Sequence, residues 1–381
     1  MDDKKKVGAA AVGAGTAFAI ACVAFSTHAG AGFATGNQAT QYYVSNTRVM
    51  GIFAVILAMG LLSLVLREAI IMRNTRDLKN HREIFETLYA PYSKLFIVFE
   101  IYINLMIIFA VGSVVAGTAG LFKQVFDFSE STTRIVLGIA LIFLTIFGAK
   151  LVTRVATILT IGILGSLAIV FFMGILKAPD LPQALSFANV PGANVWAAIR
   201  SGFVYAGFQC IVIPAITAVG KPLVTRKSVS LSMFFTFLMN AGGLGVSVVM
   251  LLGWFSKFTL EKQVLPTVFI TQQLGLPVLY VFYSIALFCC LLSTGVSLVY
   301  GCVTRFENSP LMLKIENPIP RRILIAIISI AVSVIISTMG LTNIVKYGYG
   351  SMGYVGIVFI VIPFLTIGRK KNKEWIATHG E

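Results

Sequence analysis

Between Ser26 and Gly36 the chain reads Ser-Thr-His-Ala-Gly-Ala-Gly-Phe-Ala-Thr-Gly, in the middle of a long apolar run. Gly30, Gly32 and Gly36 each disfavour continuous helix by about 1 kcal/mol relative to alanine. A helix interrupted here exposes carbonyl oxygens on one side and amide hydrogens on the other. Those ends can hold a cation and an anionic group of a solute respectively. Gly30, Gly32, Phe33, Ala34 and Thr35 are therefore candidate solute-binding positions. Close packing of Gly and Ala between helices is the alternative use of the same residues, but His28, Thr35, Asn37 and Gln38 add polarity that packing alone does not need.

Two further segments carry chemistry. Gly202-Phe203-Val204-Tyr205-Ala206-Gly207-Phe208-Gln209 is followed by Pro214, which removes a backbone hydrogen bond and favours a second interruption. Gln209 in such a run requires a polar partner or cavity. Tyr205 and Phe208, about one turn apart, can cover a small ligand beside Gly207 or serve as plain core. Cys289-Cys290-Leu291-Leu292-Ser293-Thr294-Gly295 places two hydroxyls side by side. With carbonyls from a broken neighbouring helix they offer four or five oxygens, a set suited to a small hard cation such as Na⁺. Alternatively, they satisfy themselves on the preceding turn of their own helix. Tyr102 and Asn104 are further candidates for solute contact. His28 can titrate or bind solute, or it can be a satisfied structural histidine.

These residues must be positioned by helices. Apolar runs occur at about 8–45, 47–72, 92–121, 133–149, 151–176, 195–219, 228–255, 277–303, 322–339 and 341–367. Each is long enough to cross a bilayer as helix, or nearly so. Residues 260–275 read as a short amphipathic surface helix in a loop. The composition agrees: 57% of the 381 residues are apolar and 12% are charged, about half the charge of a soluble domain. Soluble catalysts and nucleic-acid readers are excluded.

The net charge of +15, from 30 Lys and Arg against 15 Asp and Glu, fits basic cytoplasmic loops rather than nucleic acid. With the N-terminus inside, Lys4–Lys6, Arg67 through Arg82, Lys150/Arg154, Lys221/Arg226/Lys227, Arg305 through Arg322 and Arg369 through Lys373 all face the cytoplasm. Lys4–Lys6, the apolar run and Ala29-Gly30-Ala31 imitate a signal peptide, but the run is long for one and reads as a first span. The five cysteines lie within or at the ends of apolar runs without metal-ligand spacing, as free thiols. Glu68 beside Arg67 reads as an interfacial feature, Glu100 as lining a vestibule or pairing with a base, and Lys346 as snorkelling outward.

The polar connector at 177–194 leaves five spans on each side. An odd number per half forces the halves into opposite orientation, as in an inverted repeat. Ala31-Gly32-Phe33 and Ala206-Gly207-Phe208 fall in the first helix of each half. The expected organisation is a first repeat at 1–176, an extracellular connector at 177–194, a second repeat at 195–367 and a cytoplasmic tail at 368–381.

On these features the chain resembles the LeuT-like fold of the amino acid–polyamine–organocation superfamily over nearly its whole length. The Gly-Ala-Gly-Phe-Ala-Thr-Gly stretch at 30–36 is most similar to the bacterial YkvI-type membrane proteins. The resemblance implies discontinuous first and sixth helices with solute between them. It also implies a sodium site from the carbonyls of Ser26, Ala29 and Cys290 and the hydroxyls of Ser293 and Thr294. Phe33 stands where relatives with a second sodium site have Asn, although Asn240 on the seventh span is polar. The lysine that proton-coupled relatives carry in the fifth helix is absent from Thr157–Phe171.

The expectation is an all-α, ten-span 5+5 inverted repeat acting as a secondary transporter. It moves a small polar solute, an amino acid or a derivative, by alternating access coupled to Na⁺. A bacterial plasma (inner) membrane is implied, with the lipid bilayer and the solute as partners, no nucleic acid, and both termini cytoplasmic. Proton coupling through His28 and a non-transporting membrane sensor or structural protein of the same fold are the alternatives. No paired carboxylates or Ser/His/Asp set supports an enzyme.

Overall fold

An apolar backbone in lipid must satisfy its hydrogen bonds within one segment, and the apolar runs here are helical. The computed structural model describes residues 13–28, 31–45, 47–186 and 194–380, with no side-chain description at 31 and 148–161. No strand occurs among the described residues. Among the described residues eight helices are long and apolar enough to cross a membrane: Arg48–Thr75, Ser93–Phe126, Glu130–Phe147, Val195–Val219, Arg226–Leu260, Pro277–Phe306, Pro318–Ser337 and Leu341–His379. The shorter apolar helices Ala14–His28 and Gly162–Leu176 occupy the expected first and fifth positions. The chain is a multi-pass membrane protein with five helical spans on either side of the connector.

Local chemistry starts these helices where they start. Asn80, Ser129, Asn194 and Asn317 accept backbone N–H groups at helix N-termini, and Thr225 with Ser228 forms a reciprocal capping box ahead of the seventh span. Pro277 and Pro318 open the eighth and ninth spans, where a missing N–H costs nothing. Burial sorts the spans: 67% of the sixth is enclosed, against 22% of the fourth and ninth, so the sixth is central and the other two are peripheral.

The first span is broken. Ala14–His28 is helical, Ala31–Ala34 forms a single turn, and the chain then passes through Gly36 at φ 76° before continuing as helix from Asn37. That left-handed backbone is open to glycine at no steric cost. The sixth span is interrupted less and later than expected. Residues 203–209 are regular α-helix, and a 3₁₀ turn at Cys210–Val212 joins Val195–Gln209 to Ile213–Val219. Pro214 sits in the first turn of that last piece, where it lacks no intrahelical partner.

Three connections differ from their sequence reading. The helix Pro266–Gln273 is buried from Pro266 to Thr271 rather than lying on the surface, because it covers the break in the first span. The fourth span passes through a π-turn at Leu144–Gly148 directly into the helix Ala149–Leu176, without a loop. The expected tail is a helix, Arg369–His379, continuous with the tenth span. It is pinned to the second span by Arg76 on Asn372 at 2.9 Å and by Trp375 on the Thr75 carbonyl at 3.1 Å. Lys371 donates to the carbonyls of Thr87 and Ala90 at 2.8 and 2.7 Å. Arg67, Arg226, Arg305 and Arg369 thus share one basic end of the bundle. At that end Glu100 pairs with His81 at 2.9 Å and Arg305 at 3.1 Å.

Candidate functional site

The break in the first span would strand carbonyl oxygens, and the surrounding elements answer them one by one. Thr35 Oγ1 donates to the Gly32 carbonyl at 2.9 Å, and Tyr283 of the eighth span donates to that of Ala34. The backbone N–H of Thr267, on the buried loop helix, reaches the Thr35 carbonyl at 3.4 Å. The Gly36 carbonyl accepts from Thr40 Oγ1 at 2.9 Å. Asn37 donates to the Val264 carbonyl and Thr342 Oγ1 at 2.9 and 3.0 Å, tying the far end of the span to the loop and the tenth span. Most of the released acceptors are therefore held by protein, leaving side chains rather than carbonyls to face a solute.

Those side chains converge on His28, which is 6% exposed. Its Nδ1 lies 2.7 Å from Asn240 Oδ1 on the seventh span, and its Nε2 lies 3.0 Å from Tyr205 Oη on the sixth. An Asn carbonyl only accepts, so a neutral ring donates from Nδ1 and accepts the tyrosine proton at Nε2. Gln209 Nε2 reaches the same tyrosine oxygen at 3.5 Å. The result is one directed chain, Gln209 to Tyr205 to His28 to Asn240, across three spans. Both ring nitrogens are satisfied, as in a structural histidine, and the chain also joins the break to the sixth span.

Aromatic rings enclose this polar line. Phe33 lies 6.4 Å from the His28 ring and 5.9 Å from Phe171. Tyr205 packs on Tyr42, Tyr43 and Phe208 at 5.6, 4.9 and 4.6 Å, and Phe208 continues to Tyr349 at 5.3 Å. Ser113 Oγ meets Tyr349 Oη at 2.7 Å. Tyr42, whose hydroxyl donates to the Val345 carbonyl at 2.8 Å, is also the wall of a pocket of about 170 Å³ away from the basic end. Gln41, Arg200, Ser201, Lys346 and Tyr354 line it further, and no carboxylate does. A cavity of about 150 Å³ takes a benzene-sized molecule. Lys346 therefore borders a vestibule together with Arg200, which the sequence reading passed over.

The structure sorts the remaining expected site residues. Phe33, Tyr205, Phe208 and Gln209 lie around His28, directly or through Tyr205, Ala34 and Thr35 are engaged by Tyr283 and Gly32, and Gly30 and Ala29 lie outside the described residues. Gly207 belongs to helix packing: a Cβ there would stand 2.1 Å from the Gly353 carbonyl of the tenth span. Asn104 bonds within its own helix. Its amide donates to the Glu100 carbonyl of its own helix at 2.7 Å, and two residues along a helix is about 200° of rotation. Tyr102 faces the sixth span instead, with its hydroxyl 2.8 and 2.7 Å from the carbonyls of Gly207 and Phe208.

Of the expected cation-binding set, Ser26, Cys290, Ser293 and Thr294 are among the described residues. Ser293 Oγ donates to the Cys290 carbonyl at 3.1 Å, so two of its members are together on the eighth span. Ser26 Oγ donates to the Val23 carbonyl at 3.0 Å within its own helix. That helix, Ala14–His28, packs chiefly on the seventh span, whereas Ala31–Ala34 packs on the eighth. No group of three or more His, Cys, Asp or Glu with metal-binding geometry exists among the described residues.

No family profile and no curated protein matches the sequence. Solved structures do. The manganese transporter of Eremococcus coleocola aligns over 99% of this chain and 88% of its own at 13% identity, TM-score 0.55. A Na⁺-coupled sialic acid symporter aligns over 95% and 91% at 13% identity, TM-score 0.55. MhsT in complex with L-phenylalanine aligns over 95% and 94% at 14% identity, TM-score 0.59. Each alignment spans nearly the whole of both chains, and the fold they share is the LeuT fold.

Proposed function

We propose that the protein is a secondary transporter that carries a small polar solute by alternating access. The observation that carries this reading is the break in the first span beside the buried chain Gln209–Tyr205–His28–Asn240. Polar side chains at membrane depth are costly and mark solute or ion paths. Here they bridge the broken first span to the sixth and seventh spans. Solute sits against Phe33, Ala34, Thr35, Tyr205, Phe208 and Gln209. It enters past Tyr42 from the pocket bordered by Arg200 and Lys346. Two cations with no acid among the lining residues favour a solute with a carboxylate, an amino acid or a derivative of one.

Na⁺ is the proposed coupling ion, held by the Ser293 and Thr294 hydroxyls and the Cys290 carbonyl with carbonyls of Ser26 and Ala29. Binding requires the inner half of the first span to draw toward the eighth, so the ion favours one conformation over the other, which is what coupling is. The neighbours described as Na⁺-coupled and as binding an amino acid are consistent with this assignment. The test is uptake by proteoliposomes of amino acids under an inward Na⁺ gradient. Accumulation that Ser293→Ala or Thr294→Ala abolishes is expected. Binding without flux identifies a sensor of the same fold. Uptake driven by a pH gradient alone, and lost in His28→Gln, transfers the coupling role to His28, whose place between two movable spans is the observation that favours that second reading.

A further inference from the structure

At the basic end a second cavity, of about 430 Å³, opens between the second, seventh and tenth spans. Four cations line it: Arg67, Arg226, Arg369 and Lys373. Arg369 and Lys373 are four residues apart and so share a helix face. Among the described residues the one carboxylate in its lining is Glu68, which is 4% exposed and already engaged by Arg67 and by Asn372 Nδ2 at 2.9 Å. Any membrane protein collects basic residues at one end. Arg369 and Lys373, on one face of the C-terminal helix and turned into a recess whose described acid is engaged by Arg67 and Asn372, are more than that tendency. The recess is also two-sided: Leu64, 50% exposed, and Leu365 form its apolar wall toward the bilayer. A free anion has no use for that wall, whereas a lipid places its headgroup against the cations and its acyl chains along the leucines.

We propose that this cavity binds the headgroup phosphate of an anionic phospholipid. The lipid bridges the C-terminal helix Arg369–His379 to the second and seventh spans and reinforces the Asn372–Glu68 link. Basic recesses between spans are physically suited to such headgroups, each Lys or Arg near the surface adding roughly a fivefold gain in affinity.

The test uses the full chain in a neutral detergent, titrated separately with phosphatidylglycerol, phosphatidylcholine and inorganic phosphate. Thermal unfolding and lipid retention by native mass spectrometry are read together. Phosphatidylglycerol is expected to raise the melting temperature and to be retained, and the other two are not. Arg369→Gln combined with Lys373→Gln is expected to weaken phosphatidylglycerol binding about thirtyfold. The exposed pair Lys94→Gln and Lys314→Gln, at the same end but outside the cavity, leaves it unchanged. If the double variant does not fold, Lys373→Gln alone at an exposed position carries the test with about a fivefold loss. Equal stabilisation by the two lipids, or undiminished binding in the cavity variants, overturns the site. Inorganic phosphate matching phosphatidylglycerol overturns the lipid assignment.

Discussion

The hydroxyl of Tyr102 lies 2.7 Å from the carbonyl oxygen of Phe208, so the third span holds the point where the sixth changes from α-helix to a 3₁₀ turn. That turn shifts hydrogen bonding to closer partners, as the Cys210 N–H does in reaching the carbonyls of both Gly207 and Phe208. Acceptor capacity is left over, and Tyr102 fills it from a fully buried position. Tyr102→Phe is expected to lower stability by about 1–2 kcal/mol, seen as a fall in melting temperature in detergent. If the 3₁₀ turn is a hinge, the same variant changes the rate of uptake more than the affinity for solute.

The sixth and tenth spans meet backbone to backbone. A Cβ on Gly207 would lie 2.1 Å from the Gly353 carbonyl, and one on Gly356 would lie 2.1 Å from the Gly207 carbonyl. Neither obstacle is a flexible side chain, so no rotamer change relieves it. Gly207→Ala is expected to cost about 3 kcal/mol and to show as loss of folded protein after detergent extraction. Gly242→Ala, where nothing stands within 4 Å, is the matched control. It is expected to be neutral or to stabilise by up to about 1 kcal/mol through helix propensity.

The contrast shows what the sequence makes legible. Span positions, the five-plus-five division and the break near Gly36 follow from local quantities: run length, charge placement and glycine spacing. The packing of Gly207 against the tenth span and the facing of Tyr102 and Asn104 depend on helix phase and on partners far along the chain. Sequence depth alone places Tyr102 and Asn104 side by side, yet they face opposite ways. Pro266–Gln273 was read as surface because a short amphipathic stretch in a loop normally is. Its burial depends on partners far away in sequence, among them the Thr35 carbonyl, which accepts from the Thr267 N–H, and the fifth, seventh and eighth spans. His28, Asn240, Tyr205 and Gln209 were each marked as polar in apolar surroundings, but their joining into one chain is a property of packing.

The expected cation set makes a separable prediction. Ser293 gives its proton to the Cys290 carbonyl at 3.1 Å, a bond long enough that losing it costs about 1 kcal/mol or less. A ligand at one hundred times its Kd stabilises by about 2.7 kcal/mol. Melting of the parent chain is therefore expected to rise when Na⁺ replaces choline. Ser293→Ala is expected to melt close to the parent in choline and to lose the rise in Na⁺. A variant that keeps the full Na⁺ response removes Ser293 from the ion site, whatever its uptake rate.

Arg200 and Lys346 supply the last prediction, which concerns the charge of the solute. Both are exposed and border the same pocket, and Lys346 lies 5.2 Å from the Tyr347 ring rather than against a carboxylate. Neither supports the core, so replacing them is expected to leave melting unchanged. Facing water, each is worth about 1 kcal/mol or less toward an approaching anion, which is about a fivefold rise in KM for Arg200→Gln or Lys346→Gln. The effect should shrink as salt rises, because exposed charges are screened over about 10 Å at 0.1 M. It should appear for a carboxylate-bearing solute and vanish for its neutral amide. An equal rise in KM for both solutes would mean that the two side chains shape the entrance by bulk alone, and the case for an anionic cargo would fall.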